Sequence, residues 1–417
     1  MLAGALHLLP ARVRSRVREG AHAVSHPTVG NLPDPREMNG VRLEPWKYGA
    51  SAALCLSADF ELAWASQYVS LDLCLDQGRR TRRFLHELLA AFNRSGVPIT
   101  WAVVGHLFLG ECRRDRATGN AHLEIPHPHP YTNPRWRFNG GDWYQHDPCS
   151  SVDTNPEWYA PDLIDQIAAS EVPHEIGCHS FSHTDFSDKL CPPAVALGEL
   201  RRCQEEARRN GLALKSFVFP GNFEGNHGAL RESGFISYRG ANGPDLSYPE
   251  RNDGLWNIRE SLQLFDTEVD YAVRMPRYLD VAVRTQTACH MSFHPAEVSP
   301  STVEKTLVPA LRNLTGRARG GEIWIATMGE IASYCEARRS AVVRPTSHNG
   351  WEVAWRLDGA SYPKAAITLS LPWSGSVPAC EIDGVAIPTP SRACFVRAGR
   401  LNLTLNKPDA SVNVRPR

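Results

Sequence analysis

The chain carries no net charge, since 45 Lys and Arg balance 45 Asp and Glu over 417 residues. Nothing global therefore draws it to nucleic acid or to an anionic membrane, and no nucleic-acid partner is expected. It has no run near the roughly 18 apolar residues that span a bilayer. It has no CxxC pair of the kind found in zinc ribbons and thioredoxin-type sites, and no internal repeat. At 42 % hydrophobic and 22 % charged residues, it is neither disordered throughout, nor collagen, nor a coiled coil. An export signal is not expected either. MLAGALHLLPARVRSRVREG puts a short apolar run, broken by His7 and Pro10, ahead of its arginines, the reverse of a secretory signal. The expected location is cytoplasmic, with peripheral membrane contact by this short basic amphipathic stretch as the lesser option. The pattern sets no oligomeric state.

What is present reads as an α/β protein. The 11 cysteines are odd in number, and Cys55, Cys178 and Cys289 lie in apolar, strand-like runs. They read as buried free thiols, as in a reducing compartment. At roughly 150 residues per domain the length allows two or three domains, or one barrel with attachments. Residues 1–45, with Pro27, Pro33 and Pro35, read as an N-terminal extension. From 46 to 340 apolar runs alternate with helix-like segments. The expected strands are 52–58, 97–104, 175–179, 215–219, 235–238, 287–293 and 322–327. The expected helices are 77–96, 162–170, 194–210, 227–233, 301–314 and 330–338, with Ser301 and Glu304 forming a capping-box pattern. Such alternation implies parallel strands, in a barrel or a doubly wound sheet. After residue 340 short alternating segments separated by turns indicate a small β-sandwich-like module over 341–417. The insert 110–161 has little periodicity but many Pro, His, Trp and Tyr, as in functional loops of this length.

Three strand ends carry chemistry. Asp59 and Glu61, at i and i+2, point to one side of a strand, which is unfavourable unless a cation or proton sits between them. His179 and His183, spaced i, i+4 after a buried strand, reach one metal if the chain turns helical there. His294 closes a third apolar strand just before Pro295. One carboxylate and two histidines make a three-ligand metal site with an open position. A second carboxylate can take a proton from water, and a further histidine can protonate a leaving group. Together they suit metal-assisted hydrolysis of an acyl bond. His127 and His129, in an extended HPHP run, are a weak pair for a second metal.

In order along 54–338, these segments resemble the NodB-type polysaccharide deacetylases (carbohydrate esterase family four). Asp59-Phe60-Glu61 resembles the first motif, His179 to His183 the HxxxH motif, Phe219-Pro220-Gly221-Asn222 the third and Phe293-His294-Pro295 the last. The runs 97–105 and 322–327 are similar to the family's second and final strands. The resemblance implies a distorted (β/α) barrel of about seven strands. It implies a divalent metal, most often Zn²⁺, and removal of N- or O-acetyl groups from a sugar, here an oligosaccharide or polysaccharide precursor. It makes Asp59 the base and Glu61 the metal ligand with His179 and His183, although the two acids could exchange roles. Gly221 would be the oxyanion donor and His294 the acid. The family's arginine two residues before the third-motif proline is Val218 here, and Arg239 could replace it. Trp136, Trp143, Tyr144 and Trp158 of the insert are candidates to stack on sugar rings. Two alternatives remain open at this point. One is an amide or formamide hydrolase acting on a lipid-linked sugar or a cyclic amide. The other is an inactive carbohydrate-binding protein.

Overall fold

A computed structural model describes residues 26–65, 70–127, 142–265, 270–346, 350–357 and 365–415. The basic N-terminal stretch, His129 and Trp136 lie outside the described residues. Two short strands, β1 (Glu37–Met38) and β2 (Val41–Leu43), precede β3 (Ala52–Phe60), whose nine residues are all buried. A continuous apolar run buried on both faces is what a central parallel strand requires. The main sheet continues with β4 (Thr100–Val103), β5 (Glu175–Cys178), β6 (Ser216–Val218), β7 (Ser237–Arg239), β8 (Glu250–Asn252), β9 (Leu255–Asn257), β10 (Leu262–Gln263), β11 (Ala288–Phe293) and β12 (Ile323–Ile325). Their order is β10-β11-β3-β4-β5-β6-β7-β9-β8, with β12 also on β3. All pairs are parallel except β8 with β9.

The segment from 255 to 264 makes this sheet curl. Ile258 N–H donates to Tyr238 O and Glu260 N–H to Gly240 O, then Ser261 N–H donates to His290 O and Leu264 N–H to Ser292 O. One extended segment thus leaves β7 and joins β11. The mixed α/β class is the one expected. β8, β9 and β10 are two or three residues long, too short to register as a periodic signal.

Helices α1 (Leu71–Ser95), α2 (Pro161–Ala168), α3 (Pro193–Arg209) and α4 (His227–Glu232) fall where the periodicity predicts. α5 (Met275–Thr285) was not predicted, yet it buries Met275, Tyr278, Leu279 and Ala282. Those positions are i, i+3, i+4 and i+7, so the apolar stripe was present behind Pro276. The expected helix 301–314 is displaced. Ser299, not Ser301, is the cap, accepting from Thr302 N–H. The turn Val303–Leu307 then widens before α6 (Val308–Arg319). Pro309 has no N–H to return to the preceding turn, which accounts for the widening. α7 (Met328–Ser340) carries a capping box between Thr327 and Glu330 and is buried almost all round.

α7 is buried because it lies between the curled sheet and a β-sandwich. The sandwich strands are β13 (Val342–Pro345), β14 (Gly350–Ala354), β15 (Ile367–Pro372), β16 (Ala379–Ile382), β17 (Val385–Ile387), β18 (Cys394–Arg397), β19 (Arg400–Leu405) and β20 (Ala410–Arg415). One sheet runs β13-β14-β20-β16-β17 and the other β1-β2-β15-β19-β18. Residues 37–43, read from sequence as part of an extension, therefore supply two strands to the C-terminal module. Val41, Leu43, Val353, Ile367, Leu403 and Val412 share its core with Ala337 and Ala341. Tyr334 O–H donates to Glu44 O, and buried Arg338 donates to Leu43 O and Glu44 O.

Candidate active site

The C-terminal ends of β3, β5, β7 and β11 open on one side, the usual location of functional groups in parallel α/β sheets. Asp59 is the next-to-last residue of β3 and Glu61 lies just beyond it. Both are nearly inaccessible, at 5 % and 7 % exposure. Buried carboxylates need partners. Asp59 has Arg239 at the end of β7, whose guanidinium donates Nη1–H to Oδ1 at 2.7 Å and Nη2–H to Oδ2 at 2.6 Å. Arg239 Nη1–H also donates to Ser57 Oγ at 3.0 Å. Ser57 O–H donates in turn to His290 Nε2 at 2.9 Å, and His290 Nδ1–H to Ile258 O at 3.0 Å. Each direction follows from the arginine, which can only donate, and the carbonyl, which can only accept.

Glu61 faces two imidazoles, with His179 Nε2 and His183 Nε2 each 3.0 Å from its Oε1. His179 Nδ1–H is committed to Val218 O at 2.8 Å. A neutral His179 therefore points a bare Nε2 lone pair at a carboxylate oxygen. Two acceptors in contact are repulsive unless a proton or cation lies between them. The two histidines do not share a helix turn, as the i, i+4 spacing had suggested. Ser180 and His183 both adopt left-handed backbone, at φ 59°, and Ser180 Oγ accepts from Thr184 N–H. Non-glycine residues hold that conformation only where surrounding contacts enforce it. Here Glu199 supplies them, accepting from the N–H groups of Phe181 and Ser182 and from the hydroxyls of Ser182 and Tyr144.

His294, beyond β11, has Nε2 3.8 Å from Asp59 Oδ2 and 4.0 Å from Glu61 Oε1, and Nδ1 3.4 Å from Glu297 Oε1. Burial opposes its charged form. Glu297, Glu61 and Asp59 outweigh that and raise its pKa to about 10. Burial likewise raises both acids. Arg239 reverses this for Asp59, and the histidines, led by His183, hold Glu61 well below the carboxylate range. Burial pushes His183 down. Burial, then Arg239, pushes His290 down to about 3, so His290 is a neutral link.

Ligand atoms of Glu61, His179 and His183 lie within 4.8 Å of one another, as do those of Asp59, Glu61 and His294. The first set, two imidazoles and one carboxylate, is a donor set that could hold a divalent cation such as zinc. Gly221 lies at the end of β6 in the turn Pro220–Asn222 with φ 57°, and a Cβ there would strike the Phe223 ring.

The insert aromatics behave differently. Trp143, Tyr144 and Trp158 are 1 %, 0 % and 2 % exposed, and all three belong to the main core. Trp143 Nε1–H donates to Ser182 O and Oγ, and Trp158 packs edge-on to Trp64. A ring with no free face cannot stack on a sugar, so the expected substrate role of these three is corrected to core packing. Sequence reasoning also missed Glu199, Ser57, His290 and Glu260. Glu260 receives a hydroxyl bond from Ser292 and a weak one from Asn222 Nδ2–H. For Glu199 a signal existed: an acid on the stripe Val195, Ala196, Leu200 and Cys203 that α3 buries.

Fold and site together define a class, a curled α/β sheet with a carboxylate–histidine cluster at its strand ends. Among solved structures, the chain is similar to a Mycobacterium smegmatis protein described as a polysaccharide deacetylase. Identity is 15 %, covering 77 % of this chain and 99 % of that one, with a TM-score of 0.48. A carbohydrate esterase family 4 pseudoenzyme from Bacillus anthracis matches at 13 % identity over 74 % and 70 %, TM-score 0.35. A family 4 carbohydrate esterase from the same organism matches at 14 % over 72 % and 86 %, TM-score 0.32. These neighbours are named for the family whose motifs the sequence resembles. No protein-family model matches the chain, and no curated protein matches it.

Proposed function

We propose that the chain is a metal-dependent hydrolase that removes an acetyl group from a sugar. The observation that carries this reading is the cluster of His179 and His183 on one oxygen of Glu61, with Asp59 and His294 beside it. Glu61, His179 and His183 would hold the cation. His179 turns Nδ1 to Val218 O and presents Nε2 to Glu61 at 3.0 Å, an orientation that supports that fit. When bound, a divalent cation polarises an acyl carbonyl and makes water acidic enough to lose a proton near neutral pH.

The chain's own residues do the rest. Asp59, kept ionised by Arg239, accepts the proton from the attacking water at Oδ2, the oxygen facing His294. Arg239 and the Ser57–His290 link fix the direction of that carboxylate. His294, whose imidazolium form Glu297, Glu61 and Asp59 favour, donates a proton to the departing amine or hydroxyl of the sugar. Glu297 at Nδ1 keeps the imidazole pointed inward. The Gly221 N–H is the proposed donor to the oxyanion. The products are acetate and a deacetylated sugar.

The test is acetate release by purified protein from N- and O-acetylated mono- and oligosaccharides, with chelator and with zinc restored. The reading predicts release that chelation stops and zinc recovers. Formate release from formylated substrates alone would reassign the acyl group. No acyl release by the zinc-loaded protein would refute the hydrolase.

A further inference from the structure

We propose a second metal site, structural and distinct from the one above, in which His106, Cys112, His122 and Asp147 bind one zinc ion and staple the insert to the domain. Their ligand atoms lie within 4.8 Å of one another. His106 Nε2 is 3.2 Å and His122 Nε2 2.9 Å from Asp147 Oδ2, and Cys112 Sγ is 3.6 Å from both Asp147 Oδ2 and His106 Nε2. Bonds of about 2.0–2.3 Å put the corners of a tetrahedral zinc site about 3.3–3.8 Å apart. The two Cys112 edges already match that size, and the two histidine–Asp147 edges, at 3.2 and 2.9 Å, have only to open by a few tenths of an ångström.

The hydrogen bonding repeats the pattern seen at Glu61. His106 Nδ1 is 3.1 Å from Trp158 O, a carbonyl that can only accept. A neutral His106 therefore aims a bare Nε2 lone pair at an oxygen of Asp147, and both side chains are fully buried. The outer groups are arranged to hold ligands. Asp147 Oδ1 accepts from Cys149 N–H at 2.9 Å. His122 Nδ1 faces Glu124 at 3.6 Å. Tyr159 Oη accepts from Ser150 N–H, donates to Asp147 Oδ1 at 3.4 Å and lies 3.2 Å from Cys112 Sγ, so it touches two of the four ligands. Partners of this kind fix ligand orientation at metal sites.

Core packing of Trp143, Tyr144 and Trp158 anchors the insert, and little regular structure adds to it. Between Leu109 and Ala160 its described residues form no helix and only one isolated bridge, Glu111 with Ser151. A segment that long without regular structure is uncommon in a compact domain, and a structural metal supplies folding energy where secondary structure does not. Cys112 and His122 come from one arm of the insert and Asp147 from the other, while His106 belongs to the domain, in the turn Gly105–Phe108 after β4. His106 N–H donates to Phe181 O, and the Phe181 ring packs on both His106 and His122. The staple thus sits directly behind the loop that carries His179 and His183. It differs from the HPHP run, which the sequence offered only as a weak pair for a second metal; His127 of that run pairs with Asp142.

Sulfur separates the two sites, because Glu61, His179 and His183 include none. The test loads the full chain with cobalt(II) and records absorption and metal stoichiometry. Wild type should hold two equivalents and show a thiolate-to-cobalt charge-transfer band. H179A should lose one equivalent and keep the band. C112S should lose the band and one equivalent, and C149S should keep both. Zinc should displace the cobalt and bleach the band. A cobalt-loaded wild type without that band overturns the proposal, whatever happens to acetate release. So does a band that survives C112S. A low yield of C112S leaves the wild-type and H179A spectra decisive.

Discussion

Replacing Arg239 by Met removes the partner of a buried carboxylate and leaves the carboxylate in place. The pair is bidentate, at 2.7 and 2.6 Å, and both side chains are almost fully buried. Breaking such a pair from one side costs about 3–5 kcal/mol, because the remaining charge has no compensation. Asp59 can lower that cost by taking up a proton. In the wild type its pKa lies below the usual value because Arg239 outweighs burial. The associated stability is complete above the unfolded-state pKa, about 3.9, and is lost only as pH falls through the lower folded value. In R239M only His179 and His294 still oppose burial, so the folded pKa of Asp59 moves up from its wild-type value. The stability deficit should then be large at pH 8 and shrink as pH is lowered. The acid limb of kcat/KM should move to higher pH in step, since less Asp59 is ionised. D59N/R239M should recover much of the lost stability and none of the activity. Urea unfolding and acetate-release kinetics between pH 5 and 9 provide both measurements. An R239M acid limb that superimposes on wild type, with a stability loss independent of pH, would refute the assignment of Asp59 as base.

Three further outcomes follow from the same geometry. H294A should keep its full metal content by elemental analysis and lose about 10²–10⁴ in kcat, the range for a positioned general acid. E199A leaves the Phe181 and Ser182 amides unsatisfied, so zinc affinity, measured by competition with a chelating dye, should fall about 10- to 100-fold. W158A should lower unfolding stability by about 3–5 kcal/mol with KM unchanged. A raised KM at unchanged stability would return that ring to the substrate.

Most of the scaffold was legible because its strands are short, apolar and bounded by turns, as in Ala52–Phe60 and Ala288–Phe293. The cluster was legible because Asp59, Glu61, His179, His183 and His294 lie at or shortly beyond the ends of such strands. What could not be read depends on distance in sequence. Glu199 lies on a separate helix, and Ser57 and His290 meet only because β3 and β11 are neighbours. The second histidine–cysteine cluster draws on residues 106 to 147 with no motif spacing. The aromatic insert looked like a sugar platform because tryptophans serve both roles, and only burial tells a core ring from a surface one. Residues 37–43 read as an extension because strands of two and three residues carry no period, although the C-terminal sheet captures them.

The central claim is that Glu61, His179 and His183 share one cation. An anomalous-scattering map at the zinc absorption edge, from crystals grown with zinc, tests it directly. The account predicts a peak within bonding distance of His179 Nε2, His183 Nε2 and a Glu61 carboxylate oxygen, lost in the H179A crystal. A zinc-grown crystal with both histidines still packed against Glu61 and no peak between them would contradict it.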